Sequence, residues 1–367
     1  MKRILSAALM AMLLTGCSAP SRLENQAHAV TMGIDILDEK IMITIQVPSF
    51  GGKSDGGEKK GASEYQIYKA SGKDFPTAFN ILSATVPQEL NLSHLKTIVI
   101  SRAFAENEQF KDHLNIIMSM YSLSQNAIAV ISEGQASQIV ENQKPHIGIR
   151  LSQILPAMLD YRQEAGVIPL CTLSQLYAGM NSAYSTSVCA LSAAASAENE
   201  KNNESYLPGE MEREGENKNE YMGCALFDRE KMVGILNGRE TQLLRLLRGE
   251  KLRNLRFTEP YAMYVTNEKN GEVVFFSDNG KTEIRIDVYL SAVPLNKNTD
   301  TGSISEIFED EFRRVIEKCI SYGTEPFGFA EIASGKFHTV DKWIAYDWLS
   351  TLKKADIHVK VHMEFQK

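Results

Sequence analysis

The stretch Ser71–Ser101, SGKDFPTAFNILSATVPQELNLSHLKTIVIS, decides the fold class. Asp74 with Pro76 two residues on is a helix start. A short carboxylate can accept a backbone N–H of the first turn, and proline lacks only an N–H that would go unpaired there. Thr97–Ser101 is a short, apolar, β-branched run, the pattern of a buried strand. Working outward, Tyr65–Ala70 reads as a strand before the helix. Upstream of it, Val30–Ile36 and the alternating Ile41–Val47 pair as a hairpin through Leu37-Asp38-Glu39-Lys40, ended by Pro48. Downstream, Phe110, Leu114, Ile117, Met118 and Tyr121 make one helical stripe, Ala127–Ile131 is the next strand, and Ala136–Glu141 a short helix. Strands alternating with helices predict helices packed on a mixed sheet.

Gly51–Gly57 invites a phosphate-loop reading, but that motif needs glycine at position 47, where Val47 stands, and no helix follows. The stretch is expected to be a loop. Glu198–Glu220 carries eight acidic and three basic residues with little to bury, and reads as a linker or exposed loop. Beyond it, Tyr221–Phe227 and Lys231–Ile235 form a hairpin through Asp228-Arg229-Glu230, and Asn237 with Glu240 caps the helix Glu240–Leu247. A three-strand meander with turns at Asn270-Gly271 and Asn279-Gly280 follows. Ser303 and Glu306 form a capping box for a helix with the stripe Phe308, Phe312, Val315, Ile316 and Cys319, and Ile357–Met363 alternates as a final strand. The expectation is an α+β protein of two or three modules, each a mixed or antiparallel sheet packed with helices. The divisions are 1–16 signal peptide, 17–197 N-terminal domain, 198–220 acidic linker, and 221–367 C-terminal domain with a subdivision near 295–303.

The signal assignment rests on Lys2-Arg3, the apolar run Ile4–Leu14, too short to span a bilayer, and Leu14-Thr15-Gly16-Cys17, a lipobox-like ending whose cysteine would be acylated. Removing sixteen residues takes away Lys2 and Arg3, so the formal net charge of −7 becomes −9, which excludes a basic nucleic-acid surface. Cys171, Cys189, Cys224 and Cys319 show no CxxC. They read as buried thiols, with a Cys171–Cys189 disulfide as the alternative in an exported chain. His358 and His362 are four apart, but on a strand that spacing is about 13 Å, too far for one metal ion. No GxSxG, HExxH, Walker or GxGxxG motif is present, so neither a catalytic site, a metal nor a cofactor is expected.

Several stretches together resemble the Ger(x)C family of spore germination proteins, the C subunits of nutrient germinant receptors. They are the lipobox, VTMGID (Val30–Asp35), Ser71–Ser101, GCALFDREKMVGILNGRET (Gly223–Thr241), the helix into TEPFGFA (Thr324–Ala330), and the tryptophan-bearing segment before the final strand. The chain departs from the family where Cys17-Ser18-Ala19-Pro20-Ser21-Arg22-Leu23-Glu24 replaces a Trp-Asp-x-Arg-Glu start. It departs again at Glu325-Pro326-Phe327-Gly328-Phe329-Ala330, which keeps only the first glycine of Asp-x-Leu-Gly-x-Gly. The resemblance implies a non-catalytic lipoprotein on the outer face of the spore inner membrane. Its partners would be membrane lipid through Cys17 and the A-type and B-type membrane subunits. Gly33, Asp35, His94, Lys96 and Gly328 are the family-matching positions, each a candidate partner contact or a structural turn or strand end. The competing readings are an extracytoplasmic solute-binding lipoprotein, which should show two similar lobes around a cleft, and a tethered wall hydrolase, which needs paired carboxylates or a metal.

Overall fold

The structure is a computed structural model. It describes residues 25–49, 65–120, 123–144, 151–184, 186–195, 202–250 except 213 and 216, 252, 255–257, 262–278, 281–295 and 303–366. Cys17, Gly51–Gly57 and Tyr121 lie outside the described residues. In chain order the first half runs β1 (Gln26–His28), β2 (Thr31–Leu37), β3 (Lys40–Pro48), β4 (Tyr65–Gly72), α1 (Phe75–Thr85), β5 (Glu89–Asn91) and β6 (Thr97–Ser101). It continues through α2 (Arg102–Ala105), α3 (Phe110–Met118), β7 (Ile128–Ser132), α4 (Ala136–Asn142), α5 (Leu151–Glu164), α6 (Leu173–Met180) and β8 (Val188–Ala194). The second half runs β9 (Asn219–Phe227), β10 (Met232–Leu236), α7 (Gly238–Leu247), β11 (Leu255–Phe257), β12 (Met263–Asp278) and β13 (Lys281–Pro294). Four helices, α8 (Ile304–Ser321), α9 (Phe329–Ser334), α10 (Val340–Ala345) and α11 (Trp348–Leu352), then lead to β14 (Asp356–Phe365).

The larger sheet has eight strands in the order β10-β9-β8-β7-β6-β2-β3-β4. β2, β6, β7 and β8 run parallel to one another, and the pairs flanking them, β2–β3, β3–β4, β8–β9 and β9–β10, are antiparallel. The β2–β3 turn closes because Asp38 and Glu39 both adopt positive φ, 48° and 61°, the left-handed pair whose twist suits a two-residue hairpin. Asp74 caps α1, its Oδ1 accepting the Thr77 N–H at 2.8 Å. All five residues of β6 are buried, and alternation sends Ile98 and Ile100 to one core and Val99 to another. The first core contains Phe75 and Leu82 of α1 with Phe110 and Leu114 of α3; the second contains Val140 of α4 with Leu155 and Leu159 of α5. Helices therefore cover both faces of the central strands, as the apolar run predicts.

Apart from a two-stranded parallel sheet of β1 with β5, the smaller of the two main sheets has the order β11-β12-β13-β14, antiparallel except for β13 with β14. A parallel return needs a crossover, and α8 to α11 supply it. α8 buries Phe308, Phe312, Val315, Ile316 and Cys319, the expected stripe. α7 starts in the expected capping box, Asn237 and Glu240 exchanging side-chain and backbone hydrogen bonds of 2.9 Å. It lies between the sheets, and the guanidinium of its buried Arg245 donates to Ile168 O at 2.8 Å and to Glu250 Oε2 at 2.8 Å.

Three local expectations need correction, and the sheets cross one of the expected divisions. The division at residue 221 does not coincide with the sheets, because β9 and β10 are the last two strands of the larger one. Each strand has two faces: Ala225 and Phe227 face the first core, whereas Cys224, Leu226 and Leu236 enter the core of the smaller sheet, so the hairpin belongs to both modules. The acidic stretch is partly built in: Pro208 and Gly209 are buried, Gly238 donates its N–H to Tyr206 O at 2.9 Å, and Asn219 and Glu220 begin β9. Asn270-Gly271 makes no turn. β12 runs through it with a register irregularity between Lys269 and Glu272, because β13 pairs with both sides. Ser303 precedes α8 with φ −103° and ψ −2° and makes no side-chain cap. Cys171, Cys189, Cys224 and Cys319 are buried free thiols. A hydrogen bond with Cys171, then burial, pushes the Cys189 thiol up, and burial pushes Cys224 up to about 12.

Candidate functional site at the junction of the two sheets

The family-matching positions are distributed over three places. Gly33 and Asp35 both sit on β2 under α4. A Cβ at Gly33 would approach Val140 Cγ2 to 3.1 Å and Ala136 C to 3.2 Å, so the glycine permits close helix–strand approach. The buried Asp35 carboxylate accepts the N–H groups of Ala136 at 2.7 Å and Ser137 at 3.0 Å, and burial raises its pKa. His94 and Lys96 lie exposed before β6; the His94 ring stands edge-on to His28 at 4.7 Å, and burial lowers the His28 pKa. Only these two of the five present side chains to solvent.

Gly328 belongs to a different constellation. Two residues past the end of α8, Gly323 takes φ 73°, after which Thr324 Oγ1 donates to Phe227 O at 2.7 Å and ties the chain to the end of β9. Glu325 then folds back: Oε1 accepts the N–H groups of Phe327 at 2.8 Å and Phe329 at 3.1 Å, and Oε2 accepts that of Ala330 at 2.9 Å. The reversal needs φ 86° at Gly328, a left-handed conformation that explains the glycine, since no atom within 4 Å would obstruct a Cβ. Glu325 is 2% exposed, and burial pushes its pKa up to about 7 against three backbone hydrogen bonds that favour the ion.

Beside Glu325 is a cavity of about 300 Å³. Its walls come from the segment before β8 (Tyr184, Thr186), the β9–β10 turn (Asp228, Arg229) and α10–α11 (Trp343, Trp348). Trp343 stacks on Tyr184 at 5.9 Å and donates its indole N–H to Ala183 O at 3.0 Å, locking the smaller module to the larger sheet. Sequence reading missed this constellation. Glu325 and the tryptophans were visible only as family segments, because the residues that surround Glu325 come both from about 140 positions earlier, at Tyr184 and Thr186, and from Trp343 and Trp348 after it. Among the described residues no group of three His, Cys, Asp or Glu side chains is placed to hold a metal, and no helix is long and apolar enough to cross a membrane. His358 and His362 lie on the exposed side of β14, His362 beside Asp287 at 2.7 Å.

Residues 20–192 match the family described as spore germination protein N-terminal domain, and residues 222–367 match spore germination B3/GerAC-like, C-terminal. The chain belongs to the Ger(x)C family of spore germination proteins. Its fold is shared with the crystal structure of the GerBC protein, at a TM-score of 0.53 and 15% identity, covering 92% of this chain and 97% of that one. A Bacillus subtilis (strain 168) chain, YfkR, whose assignment as a spore germination protein is provisional, is 26% identical over 136 residues. That alignment takes in 36% of this Ger(x)C chain and 35% of YfkR, about a third of each.

Proposed function

We propose that this chain is a lipid-anchored, non-catalytic subunit of a spore nutrient germinant receptor, working by contact with A-type and B-type membrane subunits. The observation that carries the reading is the order of family features: a lipobox-like Leu14–Cys17, then the two germination-family regions, 20–192 and 222–367, in sequence. Acyl chains on Cys17 would hold the body at the outer face of the membrane, since two or more chains give stable anchoring where one is marginal. The two sheets differ in strand number and order, unlike the paired similar lobes expected of a solute-binding lipoprotein. His94 and Lys96 are the family positions exposed for a partner.

An affinity-tagged copy recovered from detergent-solubilised spore membranes should bring down the neighbouring A-type and B-type subunits, and Cys17→Ser should leave the detergent-rich phase. Recovery of the intact chain without either subunit would contradict the contact role, and retention of Cys17→Ser in that phase would contradict the anchor.

A further inference from the structure

The core of the larger sheet brings two thiols together from separate parts of the fold. β7 and β8 pair Val130 with Ala190, which sets Cys189 level with Ala129, and the Ala129 N–H donates to Cys171 O at 2.8 Å. Both cysteine side chains enter the first core. Cys189 is hydrogen-bonded to Cys171, whose own thiol donates to Thr172 O at 3.5 Å. The other two described cysteines point elsewhere. Cys224 lies opposite Ala190 with its side chain in the core of the smaller sheet, where Thr241 Oγ1 donates to its sulfur at 3.4 Å, and Cys319 belongs to that same core.

The two thiols differ in access. Cys189 is fully enclosed, whereas Cys171 is 6% exposed and lines a cavity of about 350 Å³ whose other walls include Gln163, Gln175, Ser182 and Arg248. The hydrogen bond with Cys171, then burial, pushes the Cys189 thiol up, so on its own it is a poor nucleophile toward anything in solvent. Thiol–disulfide exchange nevertheless needs an accessible sulfur only for its first attack. The second attack is intramolecular, and a thiol already held beside its target gains the advantage of proximity there. An accessible cysteine in contact with an enclosed one therefore has the arrangement of an attacking and a resolving thiol.

We propose that Cys171 and Cys189 are a modification site, a thiol pair that a small-molecule disulfide oxidises to a Cys171–Cys189 disulfide. The Cys171 sulfur gives up its proton and attacks one sulfur of the oxidant, forming a mixed disulfide and releasing the first thiol, which takes that proton. Cys189 then attacks Cys171 Sγ, breaking the mixed disulfide, and its proton leaves with the second thiol. The pair loses two electrons and two protons, and the oxidant becomes two thiols. The bond closes a loop that carries α6 and Tyr184, the residue stacked on Trp343, and so fastens the junction of the two modules from the side of the larger sheet. The site rests on the packing of this core and would stand if the membrane contacts proposed above failed.

The purified full-length chain in detergent is equilibrated with glutathione at a series of reduced-to-oxidised ratios, quenched in acid, and alkylated after denaturation. Trypsin leaves both cysteines in one peptide, Gln163–Lys201, and puts Cys224 and Cys319 in two others. As the oxidised fraction rises, Gln163–Lys201 should lose both alkyl groups together and retain no glutathione, while the Cys224 and Cys319 peptides stay alkylated. Cys189→Ser should instead retain glutathione on Cys171, and Cys171→Ser should leave Cys189 alkylated at every ratio; an unmodified Cys224 in each variant shows that the core is folded. The wild-type result decides by itself if a variant loosens the core. The oxidised chain should also unfold at a higher urea concentration than the reduced one, because the closed loop restricts the unfolded state. No loss of alkylation in oxidised glutathione alone, loss of a single alkyl group from wild type, loss that includes Cys224, or a urea midpoint that falls on oxidation would each overturn the proposal.

Discussion

Asp35 and Glu325 are both buried carboxylates that hold the start of a short helix, and they reach for it over different distances. Asp35 stands on β2 and accepts from Ala136 and Ser137, about a hundred residues later, so it fastens α4 to the central sheet. Glu325 accepts from residues two to five positions ahead and shapes only its own loop and α9. Around Asp35 the layers close: Gly33 exists there so that α4 can approach. Around Glu325 they do not, and a cavity lined by both tryptophans remains. The same device is a rivet between layers in one region and the floor of a cavity in the other.

The largest effect is expected from Glu325→Ala, which orphans three buried N–H groups at once. The loss should be about 3 kcal/mol or more, read from the urea midpoint, with tryptophan emission altered before global unfolding because both indoles are neighbours. Asp35→Ala orphans two and should cost about 2 kcal/mol, speeding amide exchange in α4 and leaving native tryptophan emission unchanged. If both variants disturb emission equally, the two regions are not separate.

The pH dependence should be weaker. Glu325 holds its proton more tightly folded, with a pKa near 7, than unfolded, near 4.5, so the folded state binds more protons between those values. Its burial therefore lowers stability as pH rises through that window and spares it below. Measured against Glu325→Gln, wild type should lose on the order of 1–3 kcal/mol between pH 5 and pH 8. A difference that stays flat, or grows in wild type's favour with pH, would mean that the carboxylate is not desolvated. Smallest is His362→Ala, which removes an exposed pair with Asp287 and should shift stability by no more than about 0.5 kcal/mol.

What the sequence revealed was what neighbours in the chain decide. The Asp74 cap, the Asn237–Glu240 box, the Asp228 turn and the α8 stripe each depend on residues within a few positions of one another. What it concealed depends on distant partners. Asn270-Gly271 has turn chemistry, but a paired β13 on both sides keeps it inside a strand. Nothing in Tyr221–Ile235 says which sheet it joins, since both of its faces are apolar enough to be buried. The Glu325 carboxylate looked like a loop residue because its local hydrogen bonds leave no pattern and its burial comes from Tyr184 and the two tryptophans. The family segment pointed to the right neighbourhood through Gly328, one position from the glutamate's first partner, Phe327.

The central claim is that this Ger(x)C chain serves nutrient-triggered germination by contact and without chemistry of its own. The most direct test is dipicolinate release from spores lacking this chain, stimulated by the nutrient of its own receptor and compared with spores lacking the neighbouring A-type subunit. The account predicts that both deletions abolish nutrient-triggered release to the same extent, while spore formation and non-nutrient germination stay intact. Normal nutrient-triggered release from spores that lack only this chain would contradict it.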